Sequence, residues 1–145
     1  IKSCINNSVN DKKYFYDSRF GCFADIAKVV KSSDTVYQWR RKYVRENKSN
    51  VCPALTANMG SGGHNVPLIR VESGIRKLTP RECANFQGFP NDFVLPDLAD
   101  SKLYHQFGNS VTVPLIERIA KAMTAAMTMT LTKKAAVERG GQNPS

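Results

Sequence analysis

The chain of 145 residues is long enough for one modest domain with a single hydrophobic core. Its 21 Lys and Arg against 12 Asp and Glu give a net charge of +9 and a pI near 9.6, which favours an anionic partner such as nucleic acid over a membrane surface. No apolar run approaches the roughly 18 residues of a membrane span and no signal-peptide pattern opens the chain, so the sequence predicts a cytoplasmic protein.

The beginning of the chain is polar apart from one aromatic cluster in residues 1–17, and its first residue is Ile1, where a natural start carries Met. We therefore expect a further segment to precede it. From Ser18 onward the sequence predicts a helix ending near residues 32–34. The apolar residues at the spacing of one buried helical face are Phe23, Ile26, Ala27 and Val30.

Residues 35–48 are rich in aromatic and β-branched side chains, which predicts a single, bent strand. The stretch is also the most basic window of the chain. Cations on a stiff scaffold suit contacts to phosphates, although a solvated strand face explains the residues equally well. These cations are Arg40, Arg41, Lys42, Arg45 and Lys48.

Residues 51–57 and 66–71 each predict a short strand, and together they predict a hairpin with a glycine-rich tip. Glycines let the backbone approach a surface closely, and the polar side chains between them suit contacts to base edges. A flexible loop is the alternative, whereas a phosphate-binding nucleotide loop is disfavoured because the Gly-x-x-x-x-Gly-Lys pattern is missing. The tip residues concerned are Asn58, Gly60, Ser61, Gly62, Gly63, His64 and Asn65.

A short helix near residues 80–87 has the clearest local signals. Thr79 suits the N-cap, Pro80 the first helical position, and Glu82 completes a capping box. Gly88 suits the left-handed conformation that follows a helix.

Residues 91–101 are rich in turn formers and predict a connector. A long helix with Pro114 in its first turn is expected next, and residues 131–145 are expected to form a disordered tail. The helix carries an apolar stripe that needs a partner surface. The stripe residues are Leu115, Ile116, Ile119, Ala120, Met123 and Met127.

Two of these stretches resemble motifs of one enzyme family. Arg76-x-Leu-Thr-x-Arg-Glu-Cys-Ala followed by Gln-Gly-Phe-Pro is similar to the ninth conserved motif of the DNA cytosine-5 methyltransferases. Tyr104 to Pro114, with the core Gln-x-Gly-Asn-Ser-Val, is similar to the tenth. The motifs follow the family order with a short spacer, and the resemblance covers roughly residues 35–128.

The resemblance implies an α+β fold. It would consist of a small mixed recognition domain with short antiparallel strands, the short capped helix, and a long C-terminal helix packed on a Rossmann-like catalytic domain that this chain lacks. Residues 1–90 would belong to the target-recognition domain, and residues 91–130 would return to the catalytic domain.

The resemblance also implies a function, the transfer of a methyl group from S-adenosylmethionine to cytosine in a specific duplex DNA sequence. The setting would be a bacterial restriction-modification system, with the protein associated with the nucleoid. The partners would be duplex DNA and the N-terminal catalytic half, in cis or as a separate subunit. The alternative is a non-catalytic, sequence-specific DNA-binding module derived from such an enzyme.

The family's catalytic groups are missing from this chain. The family's nucleophile lies in a Pro-Cys-Gln motif, its acid in Glu-Asn-Val, and its donor-binding turn in Phe-x-Gly-x-Gly, and none of the three occurs here. Cys52 precedes Pro53 instead of following a proline. The four cysteines also lack a Cys-x-x-Cys pair, so the sequence predicts no catalytic residue, no metal site and no disulfide framework.

The matching positions define the candidate site. Two departures are Asn85, where many members carry Arg, and Ala54 before Leu55, where Thr is usual. The expected cofactor contacts are Asn109, Ser110 and Val111. The expected DNA contacts are Arg40, Arg41, Lys42, Arg45, Thr56, Asn58, Gly60, Ser61, Gly62, Gly63 and His64. The expected organisers between domains are Thr79, Arg81 and Glu82.

Overall fold

The structure, a computed structural model, describes residues 1–48, 51–61 and 66–140, with side chains as far as residue 133. It consists of two units, Ile1–Val111 and Thr112–Ser145, which we describe separately. None of the helices in the described part of the chain is long and apolar enough to cross a membrane.

The first unit is built on a five-stranded antiparallel sheet, in the order β1-β5-β4-β2-β3. The strands are β1 Phe15–Tyr16, β2 Val36–Trp39, β3 Val44–Asn47, β4 Leu68–Val71 and β5 Gly74–Lys77. The helices are α1 Phe23–Val29, α2 Pro80–Phe86 and α3 Asp100–Asn109, with 3-10 turns at Lys2–Cys4, Lys12–Tyr14 and Ala57–Gly60. The mixed α+β fold with short antiparallel strands is therefore confirmed.

Both faces of the sheet are covered. Successive residues of a strand point to opposite faces, so Val36 and Tyr37 enter different clusters of buried side chains. Ile26 and Val30 of the α1 region pack on one face, and α2 and α3 pack on the other. Every residue of β2 is consequently buried.

Residues 35–48 form two strands, so the prediction of a single bent strand is wrong. Val36 pairs with Asn47 and Trp39 with Val44 in an antiparallel hairpin. Arg41 adopts a left-handed conformation with φ of 64° at the reversal. No glycine or proline marks this turn, which is why the sequence suggested a continuous strand.

The predicted hairpin between residues 51–57 and 66–71 is also wrong. Residues 51–56 contain no strand, and β4 pairs instead with β5, with Val71 opposite Gly74. The sequence did not predict β5, because a charged residue such as Arg76 is usually expected to face solvent. In the structure Arg76 is fully buried. The predicted tip residues Gly62, Gly63, His64 and Asn65 lie outside the described residues.

The helices α1 and α2 match the helices predicted from the sequence in part. α1 has the predicted buried face but begins at Phe23 instead of Ser18. Glu82 N–H donates to Thr79 Oγ1 at 3.2 Å and Thr79 N–H donates to Glu82 Oε2 at 2.8 Å, which confirms the capping box. Gly88 has the predicted positive φ, 80°.

Residues 100–109 form α3, which overlaps only the end of the connector predicted over residues 91–101 and which the sequence did not predict. Its buried residues Leu103, Tyr104 and Phe107 lie on one side of the helix.

The second unit contains the long helix α4, Val113–Gly140. α4 runs past residue 131, where the sequence predicted a tail. Residues 133–139 are mostly Lys, Ala, Glu and Arg, which favour helix, and they include no glycine or proline.

A buried ion pair joins three segments of the first unit. Arg76 and Glu82 both have side chains with no solvent exposure, and two Arg76 nitrogens donate to the carboxylate at 2.7 and 2.8 Å. Asn6 N–H donates to Glu82 Oε1, and Arg76 Nη2 donates to Asn6 O, each at 2.8 Å. The N-terminal segment, β5 and α2 are thus held by one polar cluster.

We predict that Glu82→Gln lowers the free energy of unfolding by about 3–5 kcal/mol, because it leaves the buried Arg76 guanidinium without a counter-charge. Urea unfolding measures the change. Glu117→Gln is the matched control, since Glu117 pairs with Lys121 at 2.6 Å on an exposed surface. Equal effects of the two substitutions would contradict a special role for the buried pair.

Candidate functional site

The predicted phosphate contacts Arg40, Arg41 and Lys42 lie together on the exposed β2–β3 turn. None of the three forms an ion pair with another described residue. Arg45, on β3, differs because its guanidinium donates to Asn47 Oδ1 at 3.1 and 3.3 Å. The turn therefore presents three cations that are available to an anionic partner.

The described part of the predicted recognition tip is the turn Ala57–Gly60 with its neighbours. The side chains of Thr56, Asn58 and Ser61 are exposed, whereas Met59 is 1% exposed and anchors the turn in the core. The polar side chains that are predicted to contact base edges therefore lie on a turn with a fixed position.

Two glycines allow this turn to pack directly on α3. A Cβ atom at Gly60 would lie 2.3 Å from Ser101 O, and one at Gly108 would lie 2.1 Å from Thr56 O. Both distances are far below van der Waals contact, and both neighbouring atoms belong to backbone. Gly60 packs against α3, and its contact with DNA stays a prediction.

The three predicted cofactor residues are contiguous at the C-terminal end of α3. Asn109 is exposed, and its Nδ2 lies 3.1 Å from His105 Nε2. The Ser110 hydroxyl donates to Phe107 O at 2.9 Å, and Val111 is 58% exposed. The segment therefore combines an exposed amide with an exposed apolar side chain.

The polar and apolar groups of this segment fit part of a site for S-adenosylmethionine. Asn109 Oδ1 has no partner among the described residues, so it can accept from an N–H or O–H group, and Val111 can contact an apolar portion. Ligand sites bury most of the ligand surface, which so short a segment cannot do. The segment fits one wall of a pocket.

The predicted organisers have different roles. Thr79 and Glu82 belong to the cap and the buried ion pair. Arg81 donates to the carbonyl of Phe93 and so ties α2 to the connector. Asn85, which stands where many family members carry Arg, donates to Cys4 O at 3.2 Å. All four contacts lie within the first unit.

Two of the four cysteines are unsuited to nucleophilic chemistry. Burial raises the pKa of Cys52 to about 12 and that of Cys83 well above its ordinary value. A cysteine nucleophile must be a thiolate, so both thiols are inert at neutral pH. The described residues also contain no group of His, Cys, Asp and Glu side chains that could hold a metal ion.

Sequence reasoning missed a cavity of about 310 Å³ beside the 57–60 turn, because its walls come from distant segments. Lys77 lies there between two aromatic rings, 5.5 Å from the Tyr104 centroid and 5.8 Å from that of Tyr14. Burial lowers the pKa of Lys77. Asp100 lines the same cavity and pairs with Lys13 at 2.9 Å, so Lys77 is left without an ion pair to another described residue.

Residues 2–125 match the family of C-5 cytosine-specific DNA methylases. The chain is 57% identical over 129 residues to the type II methyltransferase M.Bsp6I from Bacillus sp. (strain RFL6), covering 88% of this chain and 41% of that protein. It is 40% identical over 73 residues to M.SsoII from Shigella sonnei, covering 50% of this chain and 19% of that protein.

A third relative, M.HpaII from Haemophilus parainfluenzae, is 56% identical over 48 residues, which cover 33% of this chain and 13% of that protein. The chain thus spans less than half the length of the relatives it matches. Because the match to the family extends over residues 2–125, including both recognised motifs, the chain belongs to the C-5 cytosine-specific DNA methylase family.

Proposed function

We propose that the chain is the target-recognition and C-terminal portion of a type II DNA cytosine-5 methyltransferase. The complete enzyme would transfer a methyl group from S-adenosylmethionine to cytosine within a specific duplex sequence. The observation that carries this proposal is the family match over residues 2–125, together with the missing Pro-Cys-Gln motif and the 41% coverage of M.Bsp6I. This chain would carry the recognition surfaces, and the rest of the enzyme would carry the catalytic groups.

Duplex DNA is the macromolecular partner in this proposal. The exposed cations Arg40, Arg41 and Lys42 would contact phosphates, which position a protein on DNA without reading its sequence. The exposed polar side chains of Thr56, Asn58 and Ser61 would read base edges from the anchored turn. Phosphate contacts and base contacts would thus come from two separate turns.

The catalytic portion is the second partner. α4 exposes a row of large apolar side chains, which a protein surface rarely leaves without a partner. Docking α4 on the catalytic portion would cover them. These residues and their exposed fractions are Leu115 56%, Ile116 44%, Ile119 47%, Met123 60% and Met127 64%.

The methyl donor would contact this chain through Asn109 and Val111, while the catalytic portion would hold most of it. When bound, S-adenosylmethionine supplies the methyl group. The contribution of this chain would be one hydrogen-bond acceptor, Asn109 Oδ1, and the apolar surface of Val111. Ser110 would stabilise the C-terminal end of α3 through the hydrogen bond from its hydroxyl to Phe107 O.

The chain alone is expected to transfer no methyl groups, because it lacks the Pro-Cys-Gln motif that carries the family's nucleophile. A chimera in which it replaces the matching residues of M.Bsp6I is expected to methylate DNA, since 57% identity preserves the interfaces. Incorporation of labelled methyl groups measures both, and bisulfite sequencing identifies the target. Activity of the isolated chain contradicts the proposal, and a chimera that binds DNA without methylating it favours a non-catalytic binding module.

Replacement of Arg40 and Arg41 by Ala is expected to weaken DNA binding mainly at low salt. Two lost phosphate contacts flatten the slope of log K against log salt by about 1.8. Fluorescence anisotropy of the chimera with its cognate duplex measures the slope. Arg19→Ala is the matched control, because the Arg19 guanidinium is held by Asp17 at 2.6 Å. An unchanged slope in the double variant would show that the turn is merely solvated.

Asn109→Ala is expected to lower the affinity for S-adenosylmethionine about fivefold, the effect of one lost hydrogen bond, and to leave DNA affinity nearly unchanged. Isothermal titration of the chimera with the donor decides this. Lys102→Ala is the control, since the Lys102 side chain is exposed on the same helix and has no hydrogen bond or ion pair with another described residue. Equal donor affinities of wild type and Asn109→Ala would remove Asn109 from the site.

A further inference from the structure

His105 lies between the turn Ala57–Gly60, the recognition turn, and residues 109–111, the cofactor segment, and it is neither a proposed DNA contact nor a proposed donor contact. Its Nδ1 is 3.2 Å from Ala57 O, and its Nε2 is 3.1 Å from Asn109 Nδ2. Ala57 begins the turn that carries Asn58, and Asn109 is the polar group proposed for the donor. One imidazole ring therefore contacts both parts of the candidate site.

The two partners determine which nitrogen of His105 carries the proton. A carbonyl oxygen can only accept, so Nδ1 must carry the hydrogen that reaches Ala57 O. Nε2 is then the acceptor, and the Asn109 Nδ2 amide donates to it. A neutral ring with its hydrogen on Nδ1 satisfies both contacts.

This arrangement also fixes the orientation of the Asn109 amide. If the amide were reversed, its Oδ1 would face the Nε2 lone pair, and two acceptors would oppose each other. The observed orientation directs Nδ2 toward His105 and leaves Oδ1 without a described partner. Asn109 therefore presents an acceptor, and a ligand that matches it must offer an N–H or O–H group.

The carbonyl that anchors His105 is itself held in place. Met59 is buried, and Gly60 and Gly108 bring the turn and α3 into direct backbone contact. Ala57 O thus has a defined position relative to α3. The hydrogen bond from His105 Nδ1 to this oxygen therefore fixes the orientation of the imidazole ring. A free surface histidine would have no comparable reference point.

We infer that His105 is a positioning residue for the methyl donor. It holds the Asn109 amide in the orientation that leaves Oδ1 free to accept a hydrogen bond from S-adenosylmethionine. The groups of S-adenosylmethionine that suit this oxygen are its ammonium, its exocyclic amine and its ribose hydroxyls. The inference rests on the proposed donor contact of Asn109. It assigns His105 no contact with the donor itself.

Three substitutions in the M.Bsp6I chimera separate the two bonds of His105. His105→Gln offers one donor and one acceptor on the same planar group, as the neutral ring does. His105→Lys can donate to Ala57 O but has no acceptor for the Asn109 amide, so the amide is free to reverse. His105→Ala removes both bonds.

Isothermal titration with S-adenosylmethionine is the measurement. We expect about fivefold weaker binding for His105→Ala and His105→Lys, and binding within about twofold of wild type for His105→Gln. In an Asn109→Ala background, His105→Ala is expected to cause no further loss, because a residue that acts only through Asn109 becomes silent there. Lys102→Ala is again the control, with thermal melting to verify folding.

Additive losses in the double variant would overturn the inference, because they would show that His105 does not act through Asn109. Wild-type affinity of His105→Lys would do the same. If Asn109→Ala itself has no effect, the proposed donor contact fails as well. If Asn109→Ala weakens binding and His105→Ala does not, the proposed function stands and the inference alone fails. His105→Lys keeps the bond to Ala57 and decides the matter should His105→Ala not fold.

Discussion

The buried ion pair between Arg76 and Glu82 is the constraint on which the first unit depends. An ion pair removed from water is tolerated only where hydrogen bonds satisfy the remaining charge, and here those bonds come from separate segments. Glu82 accepts from Arg76, from Asn6 N–H and from Thr79 N–H. The cap of α2, strand β5 and the N-terminal segment around Asn6 must therefore adopt their positions together.

The candidate site inherits its geometry from this cluster through α2 and α3. Gln87, at the end of α2, donates to Phe107 O at 3.1 Å, and the Tyr104 hydroxyl donates to Leu78 O at 2.6 Å, just before the cap of α2. Both hydrogen bonds are buried, so α3 is held in a fixed position against α2. The turn at residues 57–60 then packs on α3, which places its polar side chains relative to Asn109.

Local chemistry decided what the sequence could predict. The capped helix α2 was predicted because its cap and stop lie within ten residues, and the site segments were found through motif resemblance. The β2–β3 turn escaped prediction because Arg41 adopts a conformation that glycine usually provides. Strand β5 escaped because Arg76 is buried against a partner outside its strand. The link from His105 to Ala57 spans 48 residues and has no sequence pattern.

The double glycine contact between the 57–60 turn and α3 bears on how such proteins can change specificity. Gly60 and Gly108 sit on opposite sides of one interface, and each faces backbone of the other segment. A recognition turn transplanted from a relative must therefore approach α3 equally closely, or the recipient helix must change with it. The unit of exchange between related enzymes is then the turn together with α3, so the segment proposed to contact the methyl donor would move with the turn proposed to read DNA.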